Sequence, residues 1–399
     1  MAASGDRRSS RSTRSADTAG PVELTAAQVR ADRIIATGLD RPASPPDLLG
    51  RLGVQDSAGW SLLALANRVG TGAGAPVVGR PDQAGDVDAV LVWSLRGSPH
   101  VHRRTELDAL ARSLWPRSAE SAFASLAGSG SGLRSDGIDP RQALADTAGA
   151  MRSIITGPMT KGEASAAVTA AAPPECSAFC RPCGVVHVRE MLFRCAALPA
   201  GIGLQPGTTP VVLEPLRPRA PARTPGEHRG GVELVAAALD RYGCVTPGEL
   251  AELLGGTPAD VRADLPETVA VTVDGRPAVT TPDLLDRITA GEQGRTAEVV
   301  RLLGPVDPLL AARDRAVLVP GRADQRKLWP ALGFPGAVLL DGAIAGLWRA
   351  KRSGSRLDLT VEWFGTAPAL SRRQRDALDR EAELVADVRS AASVRLVLP

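Results

Sequence analysis

The chain has 399 residues, of which 44% are hydrophobic and 23% are charged, and its formal net charge is +3. These values are close to the average for soluble globular proteins, so the composition argues against wholesale disorder and against a membrane protein. Aromatic residues make up only 3% of the chain, which argues against a single-strand-binding surface built from stacking platforms.

The N-terminal segment, residues 1–20, is small, polar and basic, and we expect it to be a disordered tail. It has no signal-peptide pattern, and the sequence has no run of about 18 apolar residues. We therefore expect a cytoplasmic protein that does not associate with membranes. The five cysteines are odd in number and unevenly spaced, which indicates reduced thiols.

Residues 21–130 are predicted to form a first unit. Thr25 and Gln28 have the spacing of a capping box and predict the start of a helix. Ser44, followed by Pro45, predicts the start of a second helix. Apolar residues at helical spacing predict a third helix: Leu62, Leu65, Ala66 and Val69. The strand-like run "DAVLVWSLRGSPHVHRR" follows, so this order is typical of a helix-turn-helix with an extended wing.

A second, mostly helical unit is predicted at residues 131–228. Its last part belongs to a Pro- and Arg-rich stretch, residues 214–231, which we interpret as an extended linker. Within the unit, Thr160 and Glu163 predict one more capping box.

The clearest local pattern lies in the next predicted unit, residues 229–295. Two helix starts repeat one formula of cap, first-turn proline and acidic third residue: Thr246, Pro247 and Glu249, then Thr257, Pro258 and Asp260. An alternating segment around Asp274-Gly275 then predicts a tight hairpin. Helices followed by a hairpin predict a winged helix.

The C-terminal residues 296–399 are predicted to form a β-meander and a closing helix. Three strands would be joined at Asp341-Gly342 and at Ser353-Gly354. The charged segment "LSRRQRDALDREAELVADVRSA" predicts the long helix that ends the chain.

Cys176, Cys180 and Cys183 have C-x3-C-x2-C spacing, which is compatible with three kinds of site. An iron–sulfur cluster is disfavoured because no alternation of strands and helices surrounds the motif. A zinc site would use Cys180, Cys183 and His187, with Cys176 as a fourth ligand. We favour a structural loop with buried free thiols, and so predict no metal.

Two groups of basic residues are candidates for DNA contacts. His100 and His102 alternate on one side of a strand beside Arg96 and Arg103, and this basic hairpin fits phosphate contacts better than a metal ion. A second group surrounds one predicted turn and would form a cationic tip: Arg349, Lys351, Arg352 and Arg356.

The sequence has no phosphate-binding loop, no nucleophile elbow and no H-E-x-x-H motif, so we expect neither a nucleotide nor any other cofactor. Only four histidines occur in the chain, which disfavours a histidine-dependent hydrolase. If the chain is an enzyme, carboxylates and amides must carry its chemistry.

Several segments together resemble the bacterial AlkZ-like and YcaQ-like DNA glycosylases: "LLGPVDPLLAARDRAVLVP", "LLDGAIAGLWRAKRSGSRLDLTVEWF", and the early "LGVQD" and "SLRGSPHVH". The resemblance spans residues 22–365 and is most specific in the block from Asp307 to Arg315. It implies an α+β fold of three tandem winged helix-turn-helix units around a concave DNA-binding cleft, with a C-terminal β-rich region.

The resemblance also implies a function and a site. Members of this family remove bulky or crosslinking alkylated bases, some of them in self-protection against a DNA-alkylating natural product, through a Gln-Φ-Gln or Gln-Φ-Asp motif. Carried over, the motif makes Gln55 and Asp56 the candidate catalytic residues, with Asp56 assisting Gln55, whereas Gly53 stands where a first glutamine is expected. Without the resemblance, Asp56 or Ser57 is predicted to cap the following helix.

We therefore expect a monomeric DNA glycosylase that hydrolyses the N-glycosidic bond of an N7- or N3-alkylated purine in duplex DNA. Such a purine is already a cationic leaving group, so its release needs a positioned water and stabilisation of the sugar cation. Gln55 would orient the water. The alternative is a non-catalytic duplex-DNA-binding protein, which the glycine at position 53 keeps open.

Overall fold

The computed structural model describes residues 20–42, 46–69, 88–217 and 228–399, which fold into a mixed α+β structure with four sheets. The predictions for the tail, for Ser44 and Pro45, and for the centre of the linker fall outside these residues. Within them, no helix is both long and apolar enough to cross a membrane.

The described residues before position 104 contain two α-helices and four strands. They are β1 (Val22–Leu24), α1 (Ala26–Ala36), β2 (Val54–Gln55), α2 (Trp60–Val69), β3 (Ala89–Trp93) and β4 (Pro99–Arg103). The capping box of Thr25 and Gln28 begins α1, as predicted. Helix α2 is buried almost all round, and Val69, predicted to lie on its apolar face, is exposed.

The second helix predicted in this region is wrong for residues 46–53, which form turns. The Asp47 carboxylate accepts a hydrogen bond from the backbone of Leu49 at 3.0 Å, which stabilises a turn instead of a helical first turn. Gly53 then has a positive φ of 60°, a conformation that ends the turn and starts β2.

Residues 107–215 are largely helical, as predicted, and add five strands. They comprise α3 (Leu107–Leu114), α4 (Ala119–Ser125), α5 (Ala127–Ser135), α6 (Pro140–Ile154), β5 (Met159–Thr160), α7 (Lys161–Ala171), β6 (Ser177–Cys180), β7 (Val185–Val188), α8 (Glu190–Ala197), β8 (Ile202–Leu204) and β9 (Val212–Pro215). The capping box at Thr160 is present. One sheet, in the order β2-β4-β3-β8-β9-β5, contains strands from both of the first two expected units.

Residues 231–289 form helices and a hairpin in the predicted order. They are α9 (Gly231–Tyr242), α10 (Pro247–Leu254), α11 (Pro258–Asp264), β10 (Val269–Val273), β11 (Arg276–Thr280) and α12 (Pro282–Thr289). Both predicted capping boxes are confirmed, and the hairpin turns at Asp274-Gly275. Strand β1 from the start of the chain pairs in parallel with β10, a long-range contact that the local pattern does not show.

The C-terminal part contains a five-stranded sheet and three helices. They are β12 (Val300–Leu303), α13 (Arg315–Leu318), α14 (Arg322–Leu328), β13 (Gly336–Leu340), β14 (Ala343–Ser353), β15 (Arg356–Trp363), α15 (Arg372–Val388) and β16 (Ser393–Val397). The predicted meander is confirmed as β13, β14 and β15, with one further strand on each side. Helix α15 packs on this sheet and against α2.

Two buried ion pairs connect the helices near the start of the chain to the segment after β12. Arg68 at the end of α2 donates to both carboxylate oxygens of Asp307, at 2.5 and 2.8 Å. Arg33 of α1 binds Asp314 in the same two-pronged way, at 2.8 and 2.6 Å. Both acids belong to the block that is most specific to the family resemblance.

The side chains of these buried ion pairs have further hydrogen-bond partners in addition to each other. The Arg68 guanidinium also donates to the carbonyls of Thr37 and Ala64, and Asp307 accepts from the backbone of Leu309. A buried charge that keeps all its partners is tolerated, whereas removal of one partner leaves the other charge buried and unpaired.

We predict that Arg68→Met lowers the free energy of unfolding by about 3–5 kcal/mol because it leaves the Asp307 carboxylate buried and unpaired. The double variant Arg68→Met/Asp307→Leu should recover most of that loss, as measured by urea unfolding. Arg134→Met, which breaks the exposed pair with Glu120, is the control and should cost much less. Equal losses for Arg68→Met and Arg134→Met would contradict the role given to the buried pair.

Candidate functional site

Gln55 lies at the end of β2, and its side chain faces a narrow cavity that is partly open to solvent. Two arginines and two other polar side chains share the cavity with apolar ones. The residues that line it are Leu52, Gly53, Gln55, Leu95, Arg96, His100, Arg241, Tyr242, Leu253, Val306, Pro308 and Ala311. The cavity thus joins the β2-β4 edge of the six-stranded sheet to α9, α10 and the segment after β12.

Arg96 holds the Gln55 amide in one orientation. It lies in the turn between β3 and β4 with a positive φ of 56°, an uncommon conformation for a residue with a side chain. Its guanidinium donates to Gln55 Oε1 at 3.2 Å and to the carbonyl of Leu253. Because a guanidinium only donates, it fixes the amide oxygen toward Arg96 and leaves that oxygen one lone pair for a further donor.

The cavity is positively charged. Burial, and to a smaller extent the neighbouring charge of Arg313, lowers the pKa of Arg96 to about 10. Arg241 is also buried, which lowers its pKa, and it donates to the carbonyls of Gly53 and Leu48 at 2.9 and 3.2 Å. Arg241 thereby braces the turn that leads into β2, and the two guanidinium groups give the cavity its positive charge.

Asp56 points away from Gln55, since successive residues of an extended segment face opposite sides. Its carboxylate accepts hydrogen bonds from the backbone of Gly59 at 3.3 Å and from the backbone and hydroxyl of Ser61 at 3.0 and 2.6 Å. The predicted capping of α2 by Asp56 is therefore confirmed. The carboxylate does not line the Gln55 cavity.

Gly53 occupies a position where the backbone leaves no room for a side chain. A Cβ added there would lie 2.6 Å from the carbonyl oxygen of Val101 and 2.5 Å from Cε1 of His102. The positive φ of Gly53 adds strain for any other residue. This strand end therefore cannot present a first glutamine at position 53 without a local rearrangement.

His100 and His102, which were predicted to contact DNA, are buried in the structure. The two side chains share one face of β4, as expected, but that face is buried, and they are only 4% and 0% exposed. His102 lies within hydrogen-bond distance of the Ser94 hydroxyl at 3.0 Å and the Gly50 carbonyl at 3.2 Å. Burial lowers the pKa of both histidines, that of His102 to about 4, so both are neutral near neutral pH.

The other predicted basic contacts are only partly brought together. Arg103 is half-buried and pairs with Asp47 at 2.8 Å, outside the cavity. Arg349, Lys351 and Arg356 share one exposed face of the β14-β15 hairpin. Arg352 points to the opposite face, where it donates to the Arg389 carbonyl at 2.5 Å.

The cysteine motif divides into two parts that lie far from the Gln55 cavity along the chain. Cys176 is buried, and its thiol donates to the carbonyl of Ala143 at 3.7 Å. Cys180 is half-buried and Cys183 is exposed, so the expectation that all three thiols are buried is wrong. The sulfur atoms of Cys180 and Cys183 and a ring nitrogen of His187 all lie within 4.8 Å of one another.

The sequence interpretation missed Arg241 and the cavity wall around Pro308. A signal for Arg241 exists: it follows the buried Leu234 and Ala238 at the i+7 and i+3 positions, on the core-facing stripe of α9. An arginine on such a stripe requires buried acceptors. No local sequence pattern predicts the cavity wall around Pro308, because the position of this wall depends on the two long-range ion pairs.

We predict that Gly53→Ala lowers the free energy of unfolding by roughly 2–4 kcal/mol, since it adds both backbone strain and a steric conflict. Gly137→Ala is the matched control: Gly137 has a positive φ of 70° but open space around its Cβ position. The control should lose only about 1 kcal/mol, as measured by thermal or urea unfolding. A Gly53→Ala variant as stable as the control would show that the strand end adapts.

We also predict acid sensitivity that originates at His102. Its pKa of about 4 in the folded state lies below the value of 6.5 in the unfolded chain, so the unfolded state binds the proton first. The contribution of His102 is complete above pH 6.5 and is lost as the pH falls towards 4, by on the order of 3 kcal/mol. Urea unfolding at both ends of this window should show a smaller pH-dependent loss for His102→Gln; an equal loss in both proteins would contradict the prediction.

Comparisons with known proteins agree with the resemblance seen in the sequence. The DNA glycosylase AlkZ-like family matches residues 48–388, most of the chain. The structure of Streptomyces sahachiroi DNA glycosylase AlkZ superposes with a TM-score of 0.65 and 21% sequence identity, covering 94% of this chain and 100% of that one. No curated protein matches the sequence.

The structural likeness supports the fold, and the family match covers the Gln55 cavity, the Asp307 block and most of the C-terminal sheet. The chain therefore belongs to the AlkZ-like family of DNA glycosylases.

Proposed function

We propose that the chain hydrolyses the N-glycosidic bond of an N7- or N3-alkylated purine in duplex DNA and that the Gln55 cavity is its active site. The observation that carries this proposal is the Gln55 amide, fixed by Arg96 at a solvent-accessible cavity within the family-matched region. Gln55 takes the place of the second glutamine in the motif that the family resemblance implies.

The chemistry requires little from the protein. An N7- or N3-alkylated purine leaves as a neutral base, so no general acid is needed, and the barrier depends on placing water against the sugar cation. With one lone pair of Oε1 accepting from Arg96, the other can accept a hydrogen bond from that water. The positive charge of Arg96 and Arg241 disfavours the sugar cation itself but suits the phosphates that flank it.

A direct catalytic role for Asp56 stays a prediction. Its carboxylate is committed to three hydrogen bonds at the start of α2, and the geometry favours the capping role. Through α2 it can affect the position of Gln55, which would make it a positioning residue.

The DNA interface that we propose is made of winged-helix units around a concave cleft. The order α9, α10, α11 and the β10-β11 hairpin has the sequence of elements of one such unit. The exposed Arg349, Lys351 and Arg356 on the β14-β15 hairpin would contact the phosphate backbone, as would Arg96 at the cavity.

Because the cavity is partly open, we propose bulky or crosslinking adducts as substrates, whose removal would protect the cell against a DNA-alkylating natural product.

The test is single-turnover excision from a duplex that carries one N7-methylguanine, with abasic sites revealed as alkali-induced strand breaks. Gln55→Ala should lower the rate by about 100-fold or more, since it removes the group that places the water. Duplex binding measured by fluorescence anisotropy should remain close to that of the unchanged protein. Asp56→Asn, which retains one capping oxygen, should keep most of the rate.

Two outcomes would contradict these assignments. If the protein binds the duplex but releases no base above the spontaneous rate, from N7-methylguanine or from a bulky N7 adduct, it is a non-catalytic DNA-binding member of the family. If Gln55→Ala retains full activity, or if a stably folded Asp56→Asn loses activity as Gln55→Ala should, the roles given to the two residues are wrong.

A further inference from the structure

The hairpin of β6 and β7 places Cys180 and His187 on one face. Ala178 pairs with His187 and Cys180 with Val185, so these four residues share a side of the two-stranded sheet. Phe179 and Val186 point to the other side and are 64% and 60% exposed. Cys180 and His187 are therefore diagonal neighbours on the same face, within reach of a common ligand.

The connecting loop brings Cys183 to the same place. The segment Cys180-Arg181-Pro182-Cys183-Gly184 closes with a hydrogen bond from the Gly184 backbone to the Cys180 carbonyl at 2.8 Å. Gly184 has a positive φ of 69°, which a residue with a side chain adopts only with strain. The backbone N–H of Cys183 also donates to the Cys180 sulfur, an arrangement that stabilises a thiolate.

His187 is held in a tautomer suited to binding a metal. Its Nδ1 lies 2.6 Å from the carbonyl of Val188, and because a carbonyl only accepts, Nδ1 must carry the proton. Nε2 is then left with its lone pair. A backbone carbonyl that orients the far nitrogen is the usual outer contact of a metal-binding histidine.

We propose that Cys180, Cys183 and His187 bind one zinc ion, with water as the fourth ligand. Two thiolates and an imidazole are ligands that zinc prefers, and its bonds of 2.0–2.3 Å place tetrahedral ligand atoms about 3.5 Å apart. The three atoms now lie within 4.8 Å of one another, so rotation of the exposed Cys183 side chain can close most of the difference. Cys176 is excluded because its thiol is buried against Ala143.

Water is proposed as the fourth ligand because, among the described residues, no carboxylate oxygen belongs to the group of ligand atoms that lie within 4.8 Å of one another. Glu190 interacts electrostatically with Cys183 and His187, but its Oε1 accepts from Lys161 at 2.7 Å and from Arg194 at 2.6 Å. The metal would tie the two strands together. A two-stranded sheet with exposed apolar side chains is stabilised little by its own packing, so a metal ion bound to both strands would stabilise the hairpin.

The test is the metal content of the full-length protein, purified without chelators and with any histidine tag removed. We expect about one zinc per chain by mass spectrometry of the digested metal. Cobalt substitution should give the thiolate-to-metal charge-transfer band of a tetrahedral site. Cys183→Ser should abolish metal binding while circular dichroism and thermal unfolding show that the rest of the chain stays folded.

Cys176→Ala is the matched control, because it removes a cysteine from the same motif but not from the proposed ligand set. It should retain the zinc; loss of the metal in this folded variant would contradict the proposed ligands. A protein that is metal-free as purified and takes up no zinc in competition with a chelating indicator would overturn the site. If thiol labelling then finds Cys180 and Cys183 joined in a disulfide, the cluster is a redox pair instead.

Discussion

The buried pairing of Arg68 with Asp307, together with that of Arg33 with Asp314, is the constraint on which the arrangement of the site depends. The two arginines come from helices near the start of the chain, and the two acids lie more than 230 residues later. Each guanidinium binds both oxygens of its carboxylate, so the contact fixes direction as well as distance. A charge buried this deeply must be paired, so sequence changes on either side are strongly constrained.

The position of the cavity follows from these contacts. One of its walls is formed by Val306 and Pro308, which flank Asp307, and by Ala311, four residues after Asp307. The opposite side is held by Arg241, which binds the carbonyls of Leu48 and Gly53, and by Arg96, which binds Gln55. Gln55 thus lies between two independently braced parts of the chain, as expected of a site that must place one water accurately.

The predictions that were correct depend on local chemistry. The capping boxes at Thr25, Thr160, Thr246 and Thr257 and the hairpin at Asp274-Gly275 need only neighbours three or fewer residues away. The errors come from long-range packing: whether the face of β4 that carries His100 and His102 is buried depends on elements distant in sequence. The parallel pairing of β1 with β10 has the same origin.

The sequence predicted only part of the candidate site. Gln55 and the capping role of Asp56 followed from the motif and from helix-start chemistry, but the partner of Gln55 did not. Arg96 was assigned to DNA contact from its basic neighbours, whereas the turn conformation that aims it at Gln55 becomes visible only in three dimensions. Gly53 had suggested a lost catalytic group; the structure gives it a steric reason, contact with Val101 and His102.

The most direct measurement is a crystal structure of the protein bound to duplex DNA that carries an uncleavable analogue of an N7-methylguanosine. We predict that the anomeric carbon of the analogue lies at the Gln55 cavity, with one water hydrogen-bonded to Gln55 Oε1 and facing that carbon. A complex in which the modified nucleotide lies elsewhere on the protein, with no water between the Gln55 amide and the sugar, would contradict this mechanism.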